Sequence, residues 1–235
     1  MGKSSYLRQL FTLLLFGFCF ALPSQILAQE NADKWLNKMK NAIIEEGTNV
    51  EQITAEVEQT IMSPMGEVKI SGTTTVNFET GDQRAKLQTP QGTVEVVIED
   101  GKGVNKMGGQ EIPLSDAQMA QIRTETQRNY LYIALNKDSL DAEYSGTETI
   151  DDAEHAKIKI GLTVPVTYYI NTQSGLPAKI TYAQFNQQTG QEIDVEVQYS
   201  DWQTVSGVTY AFKVDSYANG QKASTGITKE LTVNE

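Results

Sequence analysis

Six turn signals constrain this chain most: Pro64-Met65-Gly66, Thr80-Gly81, Asp100-Gly101, Ser174-Gly175, Thr189-Gly190 and Asn219-Gly220, each set between runs of alternating apolar and polar residues. Glycine accepts positive φ without steric cost, and Asp-Gly or Asn-Gly gives a tight turn whose twist matches that of the strands it joins. The chain therefore reads as a long antiparallel meander interrupted by a helix. Ile53, Ala55, Val57 and Ile61 share one face, with Thr54, Glu56, Glu58 and Thr60 on the other. After the Pro64 turn, Val68, Ile70, Val76 and Phe78 oppose Glu67, Lys69, Thr73 and Asn77. Such alternation marks an antiparallel sheet with one solvated face. Gly72, in mid-strand, predicts a bend or bulge. Further strands are expected over residues 84–89, 93–99, 103–107, 142–150, 155–162, 165–170, 178–185, 192–199, 207–217 and 223–233.

Two helices complete the plan. Trp35, Leu36, Met39, Ala42 and Ile43 form an apolar stripe, which predicts a helix over 33–46 with Asn31 as its cap and Gly47 at its exit. Ser115 and Gln118 have the spacing of a capping box, with Leu114 and Met119 placed to close over it. The apolar face Met119, Ile122, Tyr130, Ile133 and Ala134 carries that helix on to about Asn136. Both helices are expected to cover the concave side of the sheet.

The first residues have the layout of a secretory signal. Lys3 and Arg8 precede an apolar run over 10–22, Pro23 breaks it, and Ile26-Leu27-Ala28 offers a cleavage site. Residues 1–28 are thus read as a cleaved signal peptide and 29–235 as a single domain. Cys19, the only cysteine, lies inside the signal and follows the bulky Phe18, which disfavours lipid attachment. The mature chain then has no disulfide or thiolate metal site. Loss of Lys3 and Arg8 leaves 17 basic against 30 acidic residues, net −13. So acidic a balance works against nucleic acid and anionic membrane surfaces.

No catalytic cluster emerges. His155 has acids nearby but no nucleophile in a recognisable elbow, and it reads as a polar strand residue. Asp151-Asp152 lacks calcium-loop spacing, and Gly101-Lys102-Gly103 reads as a hairpin without the rest of a phosphate loop. No metal or cofactor is expected, and the chain does not read as an enzyme. Tyr130, Tyr132, Tyr168, Tyr169, Tyr182, Tyr199, Tyr210 and Phe212 lack the basic residues of a nucleic-acid platform and read as core and sheet-face residues. A concave sheet under amphipathic helices can instead hold an apolar ligand. Each buried CH₂ is worth roughly 0.8 kcal/mol, so a long acyl chain contributes about ten kcal/mol or more. Helix side chains that fill the concavity would give an ordinary core from the same pattern.

The order of these motifs resembles the outer-membrane lipoprotein carrier superfamily (LolA/LolB-like) over residues 30–234. The resemblance is carried by the signal peptide, the short first helix, strands around Gly66 to Phe78, then Arg84, Pro90, Asp100-Gly101-Lys102 and the capped helix. Tyr168-Tyr169-Ile170-Asn171 leads to Ser174-Gly175-Leu176-Pro177-Ala178-Lys179, which looks like the family's tyrosine-rich strand and Gly-Leu-Pro turn. Tyr199-Ser200-Asp201-Trp202 and Val205-Ser206-Gly207-Val208-Thr209-Tyr210 resemble the strand pair after it. The resemblance implies a mainly β (α+β) fold: an unclosed antiparallel β-barrel of about eleven strands, with helices over its concave face. Carriers fed by the inner-membrane release machinery have an arginine-proline pair after the strand that here ends at Phe78; this chain has Glu79-Thr80-Gly81-Asp82. Their cavity tryptophans are not matched around that strand either.

The expected function is a periplasmic, monomeric carrier of lipid or lipoprotein acyl chains toward the outer membrane of a Gram-negative bacterium. Its partners would be a lipid or acylated protein, with an outer-membrane acceptor or inner-membrane release complex, and no nucleic acid. The residues expected to line the hollow are Val57, Ile70, Val76, Phe78, Leu87, Val96, Met119, Ile122 and Tyr130. The alternative is a periplasmic protein-binding sensor or accessory domain with a packed core and an exposed strand edge as its working surface.

Overall fold

The computed structural model describes residues 23–64, 66–186 and 190–234. Residues 1–22 of the expected signal, and Met65 and Thr189 of two turns, lie outside the described residues. The sheet has thirteen antiparallel strands in the order β6-β5-β4-β3-β2-β1-β13-β12-β11-β10-β9-β8-β7. They are β1 (Gln52–Ser63), β2 (Gly66–Asn77), β3 (Gln83–Thr89), β4 (Gly92–Glu99), β5 (Lys102–Met107), β6 (Gln110–Pro113), β7 (Ala142–Ile150), β8 (Ala153–Ile160), β9 (Val166–Asn171), β10 (Pro177–Asn186), β11 (Gln191–Val205), β12 (Val208–Ala218) and β13 (Gln221–Val233). Among the described residues three α-helices accompany them: α1 (Pro23–Ile43), α2 (Asp116–Gln127) and α3 (Tyr130–Asn136). The chain lays down β1 to β6 outward to one free edge, crosses by α2 and α3, and starts again at the opposite edge with β7. It then works back until β13 pairs with β1. One open sheet results, its two ends joined by the helical crossover.

Turn chemistry sets the hairpins. Asp100-Gly101 and Asn219-Gly220 both have positive φ at their two central positions, the backbone of a tight hairpin turn with the right twist. Thr80-Gly81 and Ser174-Gly175 end turns of one design. Asn77 Oδ1 accepts from the backbone N–H groups of Glu79 and Thr80, and Gly81 N–H donates to the Asn77 carbonyl. Asn171 repeats this with Gln173, Ser174 and Gly175.

Three expectations are corrected. The first helix begins at Pro23, not 33, so Asn31 is inside it and α1 runs through the expected cleavage point. The second helical stretch is two helices. Asn129 takes an extended backbone and its Oδ1 accepts from Leu131 N–H at 2.8 Å, so it caps a new helix instead of continuing the old one. At Gly72 the bulge is absent, since the ladders to β1 and β3 run without interruption. The glycine is there for close approach: a Cβ would lie 2.0 Å from the Lys86 carbonyl oxygen.

The core sits under the C-terminal strands. α1 packs against β7, β8, β12 and α3, burying Leu36, Met39 and Ile43. α3 adds Tyr130, Leu131, Ile133 and Ala134. They meet Ile158, Ile160, Val166, Tyr168, Ile170 and Ile180 from β8, β9 and β10. By contrast α2 buries only Met119.

Candidate functional site

Residues directly paired across antiparallel strands project from the same face, so the register shows what β1 to β6 present to the helices. One row runs Ile53, Val76, Gln83, Ile98, Gly103. The next is Ala55, Thr74, Ala85, Val96, Asn105, Ile112, and the third is Val57, Gly72, Leu87, Val94, Met107. Ile70 and Val68 continue this inner face opposite Gln59 and Ile61. The outer face is polar, with Thr54 and Thr75 sharing a hydrogen bond and Arg84 paired with Glu95.

α2 lies over the Gln83, Ile98 and Gly103 end of the first row. Its start is fixed by Ser115, which accepts from Gln118 N–H while the Gln118 amide oxygen accepts from Ser115 N–H at 2.9 Å. That cap drives Met119 and Leu114 down on Gly103, where a Cβ would fall 2.5 Å from the Met119 sulfur and 2.7 Å from Leu114 Cδ1. Gln83 Nε2 donates to Thr126 Oγ1 at 2.8 Å, which ties the far end of α2 to β3. Between helix and sheet lies a cavity of about 250 Å³ lined by Gln83, Ile98, Met119, Ile122, Thr126 and Tyr132. Beyond the helix the inner face is uncovered. Leu87, Val94 and Val96 are half-buried, and Met107 and Ile112 at the β5–β6 edge are 50% and 56% exposed.

The nine residues expected to line a hollow fall into three positions. Ile70, Val76, Leu87 and Val96 are half-buried on the inner face and outside the main core cluster. Val57 and Phe78 share that face but pack against the core, and so mark its boundary. Met119 and Ile122 line the cavity from the helix side. Tyr130 is apart from all of these. It is 3% exposed, with Tyr199 and Trp202 edge-on at 5.2 Å and Tyr210 at 5.8 Å. Its hydroxyl accepts from Ala211 N–H at 3.0 Å, and burial pushes its ionisation well above the ordinary tyrosine range. Tyr130 thus belongs to the filled side of the concavity. That cluster is invisible to strand alternation, because Asp201 (φ +54°) breaks the period in β11 just before Trp202.

Two further features escape the sequence. A larger groove of about 640 Å³ is lined by Lys159, Thr167, Thr181, Tyr182, Glu196 and Tyr217; its polar walls make it a poorer match for hydrocarbon than the inner face of β1 to β5. Arg128, between α2 and α3, is buried, its guanidinium 3.7 Å from the Tyr182 ring centre. Tyr168 donates from its hydroxyl to the Arg128 carbonyl at 2.5 Å, which pins the junction of the two helices to β9. His155 lies in β8, buried, with Nδ1 2.9 Å from the Ala153 carbonyl and Nε2 3.4 Å from Asn171 Nδ2. Among the described residues no helix is long and apolar enough to cross a membrane.

No known family's sequence model matches this chain, and no curated protein matches it. Solved structures do. A LolA superfamily protein from Nitrosomonas europaea aligns at TM-score 0.59 with 13% identity, over 87% of this chain and 94% of that one. An outer membrane lipoprotein-sorting protein domain from Vibrio parahaemolyticus aligns at 0.59 with 8% identity, over 87% and 93%. A DUF1329 family protein from Desulfovibrio piger aligns at 0.58 with 8% identity, over 87% and 92%. At these identities the likeness is one of fold. The open thirteen-stranded sheet and its helical crossover are a LolA-like fold.

Proposed function

We propose that this protein is a non-enzymatic periplasmic carrier that holds the acyl chains of a lipid or lipoprotein against the inner face of β1 to β5, beneath and beside α2. The observation that carries this reading is the contrast between Ile70, Val76, Leu87 and Val96, apolar and only half-buried, and the fully buried side chains around α1 and α3. An apolar face left half-covered favours an apolar ligand by roughly 25 cal/mol for each Å² it removes from water. α2 suits the part of a movable cover: Met119 is its one buried residue, and its other tie to the sheet is the Gln83–Thr126 hydrogen bond. The expected signal peptide, the export it implies and the lipoprotein neighbours of the fold point the same way, toward delivery to the outer membrane.

The test is native mass spectrometry and organic extraction of protein purified from the periplasm, followed by titration with a fluorescent fatty acid. A carrier retains lipid and binds the probe, and Leu87→Asp lowers that affinity by a factor of about ten or more, since it places a charge where hydrocarbon would lie. A lipid-free protein that ignores the probe removes the reading. The free edge at β6, where Met107 and Ile112 are exposed, favours one second reading, a protein-binding accessory domain. Capture of a partner that an Ile112→Asp change abolishes, with no lipid bound, would select it.

A further inference from the structure

Arg128 closes the C-terminal end of α2 and is 7% exposed. Apart from its stacking on Tyr182, its guanidinium makes no ion pair and no hydrogen bond with any described residue. Glu125, one turn back, forms no ion pair with it; its carboxylate accepts from Gln121 Nε2 at 3.0 Å and acts on the same Tyr182 ring from a distance. A buried cation is ordinarily paired, because an unpaired charge loses its hydration without replacement. Here the guanidinium nitrogens keep some contact with solvent, since Asn105 Oδ1 and not Arg128 is the fully buried side-chain polar atom without a partner among the described residues. The α2 dipole and the Tyr182 ring face offset part of the remaining loss. Neither accepts the five N–H groups of the fork. Burial holds the ionisation of the phenols around it, Tyr168, Tyr182 and Tyr199, above the ordinary tyrosine range, so none is anionic at neutral pH.

The position is as informative as the missing partner. Thr126, Gln127 and Tyr132, close to Arg128 in the chain, line the cavity under α2. Tyr182, on which the guanidinium rests, lines the 640 Å³ groove. Arg128 thus stands at the α2–α3 junction, next in the chain to walls of the cavity under α2, while the groove's other named walls, Lys159, Thr167, Thr181, Glu196 and Tyr217, form one row on the outer face of the sheet.

We infer that Arg128 is the anion-recognition residue of this protein, and that its guanidinium pairs with the carboxylate or phosphate of an amphiphile whose hydrocarbon lies on the inner face. This rests on the carrier reading and adds the headgroup class to it. A fatty-acid carboxylate and a phospholipid phosphate share the needed chemistry, a compact anion that accepts two parallel N–H bonds from the fork.

Four probes of matched chain length test it on the purified protein: a pyrene-labelled fatty acid, its methyl ester, a pyrene-labelled phosphatidylglycerol and the corresponding diacylglycerol. At least one anionic probe is expected to bind about ten-fold or more tightly than its uncharged counterpart, the advantage of a charge-assisted bidentate contact. Arg128→Gln should erase that advantage and leave the uncharged probes unchanged, while Arg128→Lys keeps part of it. Discrimination confined to the acid identifies a fatty acid, and discrimination confined to phosphatidylglycerol a phospholipid. The ligand-free Arg128→Gln protein should melt no lower than wild type, since the change removes an unpaired buried charge. Equal wild-type affinity for charged and uncharged probes, or a parallel loss of both in Arg128→Gln with a lowered melting temperature, makes Arg128 a structural residue and overturns the inference alone. Failure of all four probes to bind overturns the carrier reading and this inference together.

Discussion

The two ends of this sheet are built from the same strand pattern and finished differently. β8 alone buries Ala156, Ile158 and Ile160, and the strands beside it meet α1 and α3 over a continuous core. Among the described residues, β2, β3, β5 and β6 bury no side chain completely, and β4 buries only Ile98. Both ends alternate apolar-in and polar-out. The difference lies in what the helices bring: α3 presents Tyr130, Leu131, Ile133 and Ala134 within seven residues, whereas α2 presents Met119 and a half-buried Ile122 within twelve. Alternation therefore decides which way a side chain points, and the helix above decides whether it becomes core or binding surface.

A pair of truncations probes that contrast most strongly. Leu131 is 0% exposed, so Leu131→Ala should cost about 2–5 kcal/mol by chemical denaturation, from lost burial and the cavity left behind. Leu87→Ala on the half-buried face should cost under about 1 kcal/mol while weakening probe binding, because little packing surrounds it without ligand. Equal costs would mean that the two ends are packed alike and that the hollow is ordinary core.

The curvature of the open end should depend on backbone as well as on side chains. Gly72 has φ +155°, and a Cβ there would meet the Lys86 carbonyl oxygen at 2.0 Å. Gly72→Ala should therefore force β2 and β3 apart and cost about 1–3 kcal/mol, comparable to overpacking a core. Gly101→Ala, with open space around its Cβ, should cost less, chiefly through its positive φ. Amide exchange faster along β2 and β3 than along β9 and β10 in Gly72→Ala would place the damage at the open end.

Much of this was legible from the chain, and the losses have physical causes. Hairpin positions followed from Asp100-Gly101 and Asn219-Gly220, because positive φ at both turn residues leaves few alternatives. The start of α2 followed from Ser115 and Gln118, a local interaction complete in four residues. Which residues of β1 and β2 share the inner face followed from alternation, whereas the rows they form across strands needed the register. The start of α1 was not legible, because Pro23 and Ile26-Leu27-Ala28 read as the end of a signal peptide and its cleavage site, a pattern that hides a helix running from Pro23. β6 escaped notice because four residues after Gly108-Gly109 carry too little pattern. Whether the concavity is filled was illegible, since Tyr130 and Met119 look alike on a helical wheel and differ only in what faces them. Arg128 was equally hidden: Arg123, five residues earlier, is exposed, and only the break at Asn129 turns Arg128 inward.

Charge pairs on the outer face carry the smallest effect, and they differ between the two ends in the same sense. On β12, Asp215 is 13% exposed, 2.8 Å from Lys222 and 3.4 Å from Lys213, and its Oδ1 accepts from Thr225 Oγ1 at 2.6 Å. Burial alone would raise its carboxyl, but the hydrogen bonds from Lys222 and Thr225 outweigh it and hold ionisation below the ordinary aspartate range. A carboxylate depressed in the folded state adds stability that is fully present above its unfolded value, about 3.9, and is lost as pH falls through the folded value. Asp215→Asn should therefore cost about 1 kcal/mol or less at pH 7, and its denaturation midpoint should converge with that of wild type as pH falls through the lowered folded-state value of Asp215. At the open end the Arg84–Glu95 pair is 3.1 Å apart, but its side chains are 63% and 25% exposed. Solvent screens such a pair, so Glu95→Gln should leave the midpoint unchanged across the same pH range. A pH-dependent loss in Glu95→Gln as large as that in Asp215→Asn would show that the outer faces of the two ends are equally ordered, and would confine the difference between them to the helix-covered side.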